Sequence, residues 1–395
     1  MSLRCAGDID TRSLEEMFIN LDPIQAGGRL TSEAMKAVIA YADGYSVCDN
    51  CQKPARLDAI SKPPLATFHK DLAAFVEMDE ARLMPGARRG FQAVASSFVN
   101  PGDPVLVTSY CHYTTFVAVE VAGGVVYEIA ASPDHYSTPD MVAERIEEVI
   151  AKTKRTPALL FLEEVDYQYG NVHPVKEMAA VAHQYDIPVL YNGAYTVGIK
   201  EVSGADFGVD FVVGSGHKSM AAPAPSGFLA TRAEYADVVF RTSKVHGDLT
   251  GRNFPVKEVE LLGCTLMGNT SVGMMASFPH VKERVKHFDK EVARANKIID
   301  ALLSIEGMEV VSEYPRKHTL TRMNSEKCFD PIAKKHKKRG FFLISALRER
   351  HVTGIIPGST KVWKMNSFGL TDRQADWVAD AFLEIAEAEG LHVNR

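Results

Sequence analysis

A run of short apolar segments, each closed by a turn and separated by helix-like stretches, constrains this chain more than any other feature. DPVLVTS (Asp103 to Ser109), GGVVYEIA (Gly123 to Ala130), TPALLFLEEV (Thr156 to Val165), IPVLYNGA (Ile187 to Ala194) and DFVVGSG (Asp210 to Gly216) read as strands, with GFLATR (Gly227 to Arg232) after them. RGFQAVASSFV before them, and MVAERIEEVIAKT and VKEMAAVAHQYD between them, carry apolar residues at helical spacing. Strands that are apolar almost throughout suit a sheet buried on both faces, and regular alternation with helices predicts an α/β fold with a mostly parallel sheet.

From about Gly273 the pattern changes to one long charged helix running through FPHVKERVKHFDKEVARANKIIDALLSI, then to mixed signals. This predicts two parts: residues 1–272, an N-terminal arm and the large domain, and residues 273–395, a linking helix and a smaller α/β domain. A 43.4 kDa chain with 46% hydrophobic residues can bury cores for both. The charged N-terminus has no apolar block, which predicts neither a signal peptide nor a membrane span, and a cytoplasmic location follows. Six scattered cysteines do not resemble the framework of a small secreted domain, so they are expected as thiols. Two of them form the CxxC of GYSVCDNC, Cys48 and Cys51, open to zinc, redox chemistry or chance.

GSGHKSMAAPAPSGFLATR is the most informative stretch. A lysine at the end of an apolar strand, followed by small residues and Pro, suits a Schiff-base lysine in a tight loop, here Lys218. Upstream, Gly86, Ala87 and Arg88 of MPGARRGF open a helix, where free N–H groups and the helix dipole favour a phosphate. His112 follows a strand, where an imidazole could stack on a flat ring, and Asn192 ends another strand.

In their order, these motifs resemble the fold-type I enzymes that use pyridoxal phosphate, especially the cysteine-desulfurase branch. The resemblance implies that Lys218 carries the cofactor, that Ser215, Gly216 and His217 with the Ala87 and Arg88 amides hold its phosphate, and that His112 stacks on the ring. It also implies a homodimer with the cofactor at the interface. One position departs from the pattern: where most of these enzymes have an aspartate at the pyridine nitrogen, this chain has Asn192. A neutral amide stabilises a protonated ring less well, which favours elimination of a good leaving group such as phosphate.

GYSVCDNC, PGARRGF, YNGAY, GSGHKSM and GRNFPVKEVELLGCT together resemble the archaeal synthases that convert O-phosphoserine already attached to tRNA into cysteine. That likeness implies three functional thiols, Cys48, Cys51 and Cys264, at the mouth of the cofactor pocket. They would deliver sulfur as a persulfide or hold an iron–sulfur cluster, and both uses stay open. Zinc wants a fourth ligand that is not evident near CDNC. Lys218 would act as base at Cα, and Arg88, with Arg89 or Arg252 as alternatives, would receive the departing phosphate. The expected partners are O-phosphoseryl-tRNA(Cys), a second copy of the chain and the phosphoseryl-tRNA synthetase, with the sulfur donor unidentified. The formal charge of −6 advertises no nucleic acid, but the run Ala333 to Phe342 and the group Lys152, Lys154 and Arg155 could form local basic patches. The alternative is a cysteine desulfurase or β-lyase acting on free amino acids.

Overall fold

The computed structural model describes all residues except 1–4, 7–8, 11–16, 25–26, 43–45, 48–64, 256–257, 261–265 and 395. The chain forms two compact units. The larger comprises Gly27–Tyr167 and Val172–Lys286; the smaller comprises Met1–Ala26, Gln168–Asn171 and His287–Arg395. The division therefore lies beyond residue 272, and the first residues of the chain group with the smaller unit. There Ile19 N and Leu21 N donate to the carbonyls of His351 and Thr353, and Ile19–Asn20 pairs in parallel with Val352–Thr353.

The larger unit is built on a seven-stranded sheet. In chain order its strands are β1 (Glu80–Met84), β2 (Pro104–Thr108), β3 (Val125–Ile129), β4 (Leu159–Leu162), β5 (Val189–Asn192), β6 (Phe211–Ser215) and β7 (Gly227–Thr231); in space they run β1-β7-β6-β5-β4-β2-β3. All neighbouring pairs from β6 to β3 are parallel, and β7 alone runs against its two neighbours. Every residue of β2, β4, β6 and β7 is buried, as continuous apolar runs require of strands covered on both sides.

Alternation along the strands divides the sheet into two cores. Phe161, Leu190 and Val213 pack with Phe91, Val94 and Val119 of α1 (Ala87–Phe98) and α2 (Tyr113–Val121). Leu160, Leu162 and Tyr191 face the other way, toward Val142, Ile146 and Met178 of α3 (Pro139–Thr153) and α4 (Val175–His183). Parallel strands end at one edge of a sheet, so the loops beyond β2, β4, β5 and β6 gather where an open α/β fold places its ligands.

The long helix expected from the charged stretch is two helices. α5 spans Gly268–Arg284, a 3-10 turn occupies Val285–His287, and α6 follows over Phe288–Leu303. The turn coincides with the boundary between the units. The smaller unit closes its own core around α6, a three-stranded antiparallel sheet, β8 (Glu309–Val310), β9 (Leu320–Asn324) and β10 (Val362–Asn366), and α7 (Asp372–Ala388). Trp363 lies flat on Phe382 at 5.3 Å and donates its indole N–H to Ser325 Oγ.

Candidate active site

A cavity of about 280 Å³ opens at the carboxyl ends of these strands, lined entirely from the larger unit. One wall is the start of α1. Gly86 caps that helix at φ +98°, a conformation that favours glycine, and no side chain caps the helix in its place. With no acidic residue in the first turn, the exposed end of the dipole is suited to an anion. Gly90 brings the helix onto the sheet: a Cβ there would stand 3.0 Å from both methyls of Val213.

Beside it, Ser215 ends β6, and its Oγ is buried without a hydrogen-bond partner. An orphaned hydroxyl in a cavity wall costs free energy unless a ligand completes it. The next turn, Gly216–Ser219, presents His217 and Lys218 to the cavity. His217 Nδ1 lies 3.1 Å from the Ser226 carbonyl, and burial holds its imidazole below the ordinary histidine range. Burial also lowers the Lys218 pKa, which raises the share of neutral, nucleophilic amine; Nζ stands 5.4 Å from the Tyr195 ring centroid.

The lysine-bearing turn is held from behind. The Arg284 guanidinium donates to the carbonyls of Gly198, Gly27 and Ser219, the last immediately after Lys218. Across the cavity, His112 is the N-cap of α2: its Nδ1 accepts from Thr114 N and lies 2.9 Å from Thr114 Oγ1, with Tyr167 edge-on at 5.1 Å. Asn192 Oδ1 accepts from Ala194 N, an orientation that turns the Nδ2 donor away from that contact.

Of the residues singled out in the sequence, Ala87, Arg88, His112, Asn192, Ser215, His217 and Lys218 line this one cavity, and Gly216 sits buried in its loop. Arg89 and Arg252 do not line it. Consecutive helical residues point about 100° apart, so Arg89 leaves the face that Arg88 takes; it is half-buried, and the Glu260 charge acts on it. Arg252 is exposed over the Phe254 ring. Of the three arginines considered for the phosphate, geometry supports Arg88.

Cys48, Cys51 and Cys264 lie outside the described residues. The short strands beside them are described: Ser46–Val47, just before Cys48, pairs antiparallel with Leu266–Met267, two residues past Cys264. The two buried free cysteines are poor candidates for thiolate chemistry, since burial pushes Cys111 far above and Cys328 up to about 11. Among the described residues no group of three or more His, Cys, Asp or Glu could hold a metal ion.

Sequence reading missed Tyr110, Tyr167, Tyr195 and Glu163 in the cavity wall. Glu163 follows β4, is 4% exposed, and accepts from Thr108 Oγ1 at the end of β2. Burial, with the Asp166 charge adding to it against the Thr108 hydrogen bond, raises its pKa to about 8. The visible signal was a pair of acids closing an otherwise apolar strand.

The orphaned hydroxyl, the uncapped helix end and the amine of lowered pKa are features that pyridoxal phosphate would fit. Comparison with known proteins points the same way. The family model described as O-phosphoseryl-tRNA(Sec) selenium transferase, SepSecS, matches residues 102–393. The O-phospho-L-seryl-tRNA:Cys-tRNA synthase 1 of Methanospirillum hungatei is 67% identical over 393 residues, covering 100% of both chains. Among solved structures, a SepCysS–SepCysE N-terminal domain complex superposes with a TM-score of 0.87 at 41% identity, over 96% of this chain and 97% of that one. An apo cysteine desulfurase from Thermococcus onnurineus shares the fold at 15% identity, with a TM-score of 0.73 over 95% and 96% of the two chains.

Proposed function

The chain belongs to the family that holds the SepSecS selenium transferases and the O-phospho-L-seryl-tRNA:Cys-tRNA synthases, and from that membership we propose that it is a pyridoxal-phosphate enzyme converting O-phosphoseryl-tRNA(Cys) into cysteinyl-tRNA(Cys). The observation that carries the reading is the convergence of Ser215 Oγ, the open end of α1 and Lys218 on one cavity. Bound there, the cofactor would withdraw electrons from the bonds at Cα of the seryl amine joined to it.

The chain's own residues do the rest. The Ala87 and Arg88 amides and Ser215 would hold the phosphate group, Gly216 and His217 would shape the loop around it, and the His112 imidazole would cover the ring. Asn192 offers a donor rather than a carboxylate to the ring nitrogen, which suffices when the leaving group is phosphate. Lys218, poised toward the neutral amine by burial, accepts the Cα proton. Phosphate departs from Cβ with the bonding electron pair, and the Arg88 guanidinium receives it through paired N–H groups. A reduced sulfur then adds to Cβ, and Lys218 returns the proton to Cα.

Cys48, Cys51 and Cys264 are the sulfur-delivering thiols of this reading, as persulfides or as ligands of an iron–sulfur cluster. The pairing of Ser46–Val47 with Leu266–Met267 supports their grouping, because it joins the chain segments that carry them. The working unit is a homodimer in the cytoplasm; among the described residues no helix is long and apolar enough to cross a membrane. A protein of the SepCysE kind is its expected partner, by likeness to the SepCysS complex, together with the phosphoseryl-tRNA synthetase.

Incubating the protein with pyridoxal phosphate, phosphoseryl-tRNA and sulfide, then identifying the esterified amino acid, tests the reading. Cysteinyl-tRNA is expected. Unchanged phosphoseryl-tRNA, with free cysteine desulfurated instead, would replace it with the desulfurase reading. Anaerobic purification with iron and labile-sulfide analysis separates cluster from persulfide.

A further inference from the structure

Three neighbouring strand ends cross the floor of the cavity, Ser215 on β6, Asn192 on β5 and Glu163 just beyond β4, and the next strand, β2, ends in the buried Thr108. Leu162 pairs with Tyr191, so Glu163 and Asn192 are the next residues along adjacent parallel strands. Phe161 and Leu190, two residues before each, share one core face, and alternation returns Glu163 and Asn192 to it. The floor thus runs from the phosphate end at Ser215 to a carboxyl at the far end.

That carboxyl is half-used. Oε1 accepts from Thr108 Oγ1, whereas Oε2 is buried with no hydrogen-bond partner among the described residues, and the side chain faces the cavity. A buried carboxylate with no cation beside it is costly, and the neutral acid is the form its surroundings accept. The groups around it agree: Asp166 beyond β4 repels its charge, Tyr191 on β5 and Cys111 beyond β2 are neutral neighbours, and Thr108 supplies a single donor. Among the described residues no ion pair joins it to Lys218 or Arg88, the cationic groups of the cavity wall.

We infer that Glu163 is a cofactor-contact residue: a neutral carboxylic acid whose unpartnered oxygen side donates a hydrogen bond to an acceptor on the ring edge remote from the phosphate. The inference rests on the pyridoxal-phosphate reading above and adds to it a second hydrogen-bond donor beside Asn192. No bond to hydrogen is broken; the proton stays on Glu163 and is shared.

The test uses the full chain as wild type, Glu163→Gln and Thr108→Val, each cofactor-free and loaded with pyridoxal phosphate. Infrared spectra follow the carboxylic-acid C=O stretch, and visible absorbance follows the cofactor. Wild type should show an acid band that disappears with a titration near pH 8 in the cofactor-free protein, and that moves to lower wavenumber on loading. Glu163→Gln should lack the band and shift the absorbance maximum of the bound cofactor. Thr108→Val, which removes the one donor favouring the carboxylate, should move the titration to higher pH. An acid band unmoved by loading, with the cofactor spectrum of Glu163→Gln equal to that of wild type, overturns the inference and leaves the cofactor assignment standing. A wild type with no cofactor absorbance overturns both.

Discussion

Glu163 and Glu164 are consecutive, both buried, and close the same strand, yet the two faces of the sheet treat them in opposite ways. On the cavity face the one hydrogen bond that Glu163 accepts among the described residues comes from the Thr108 hydroxyl, and burial drives it toward its neutral form. On the opposite face Glu164 accepts from Lys200 Nζ at 2.6 Å, with the Tyr191 hydroxyl at 3.5 Å, and exists as half of an ion pair. Burial is common to both. What differs is the partner, and the partner decides whether a buried acid holds the fold or is left available to a ligand.

The contrast can be broken from either side. Lys218→Ala, on the cavity face, should lower synthase activity by about 10³-fold or more and abolish the lysine-linked absorbance, with the melting temperature of the cofactor-free protein little changed; a retained cofactor band would mean another amine holds it. Lys200→Met, on the other face, leaves Glu164 buried without its cation. It should cost about 2–4 kcal/mol, or roughly 5–10 °C in melting temperature, with the cofactor spectrum intact. An unchanged melting temperature would show that the pair is replaceable and that the two glutamates differ less than their partners suggest.

Glu163→Gln sharpens the comparison through pH. The folded pKa is raised from 4.5 to about 8, so the folded protein binds more protons across that window and wild-type stability falls as pH rises through it. Between about pH 5 and pH 9 the variant should therefore gain about 4 kcal/mol relative to wild type in the cofactor-free state, read by denaturant unfolding at each pH. A parallel profile for the two proteins would place the Glu163 titration elsewhere. Smallest is Ser215→Ala, which removes the orphaned hydroxyl. Cofactor affinity should drop roughly tenfold, by titration of the absorbance band, while stability holds or rises slightly because no bond is lost.

Legibility in the sequence followed the range of the interactions. Strands β2, β4, β5 and β6 were readable because parallel strands covered on both faces must be apolar throughout, a property of each segment alone. The end of the cavity at α1 was readable for the same reason: Gly86 to Arg88 and Ser215 to Lys218 are contiguous motifs, and each lies whole on the cavity or in its loop. The far end is assembled from single residues of three separate strands, and nothing local distinguishes Glu163 from Glu164. Arg88 and Arg89 could not be ranked until helical phase set one on the cavity and turned the other away. Likewise, the charged periodicity from Phe278 onward continues through Val285–His287, so the 3-10 turn that divides it left no mark on the pattern.

The pairing of Ser46–Val47 with Leu266–Met267 also fixes an order of events during synthesis. Its two halves are separated by more than two hundred residues, including all seven strands of the main sheet. At roughly 5–20 residues per second, the later half leaves the ribosome about 10–45 s after the earlier one. The segment running into Cys48 therefore waits for its strand partner until the sheet that bears Ser215 and Lys218 has been made. That pairing can close only after those strands have been made, while Arg284, which braces the Lys218 turn, is still to follow in the chain.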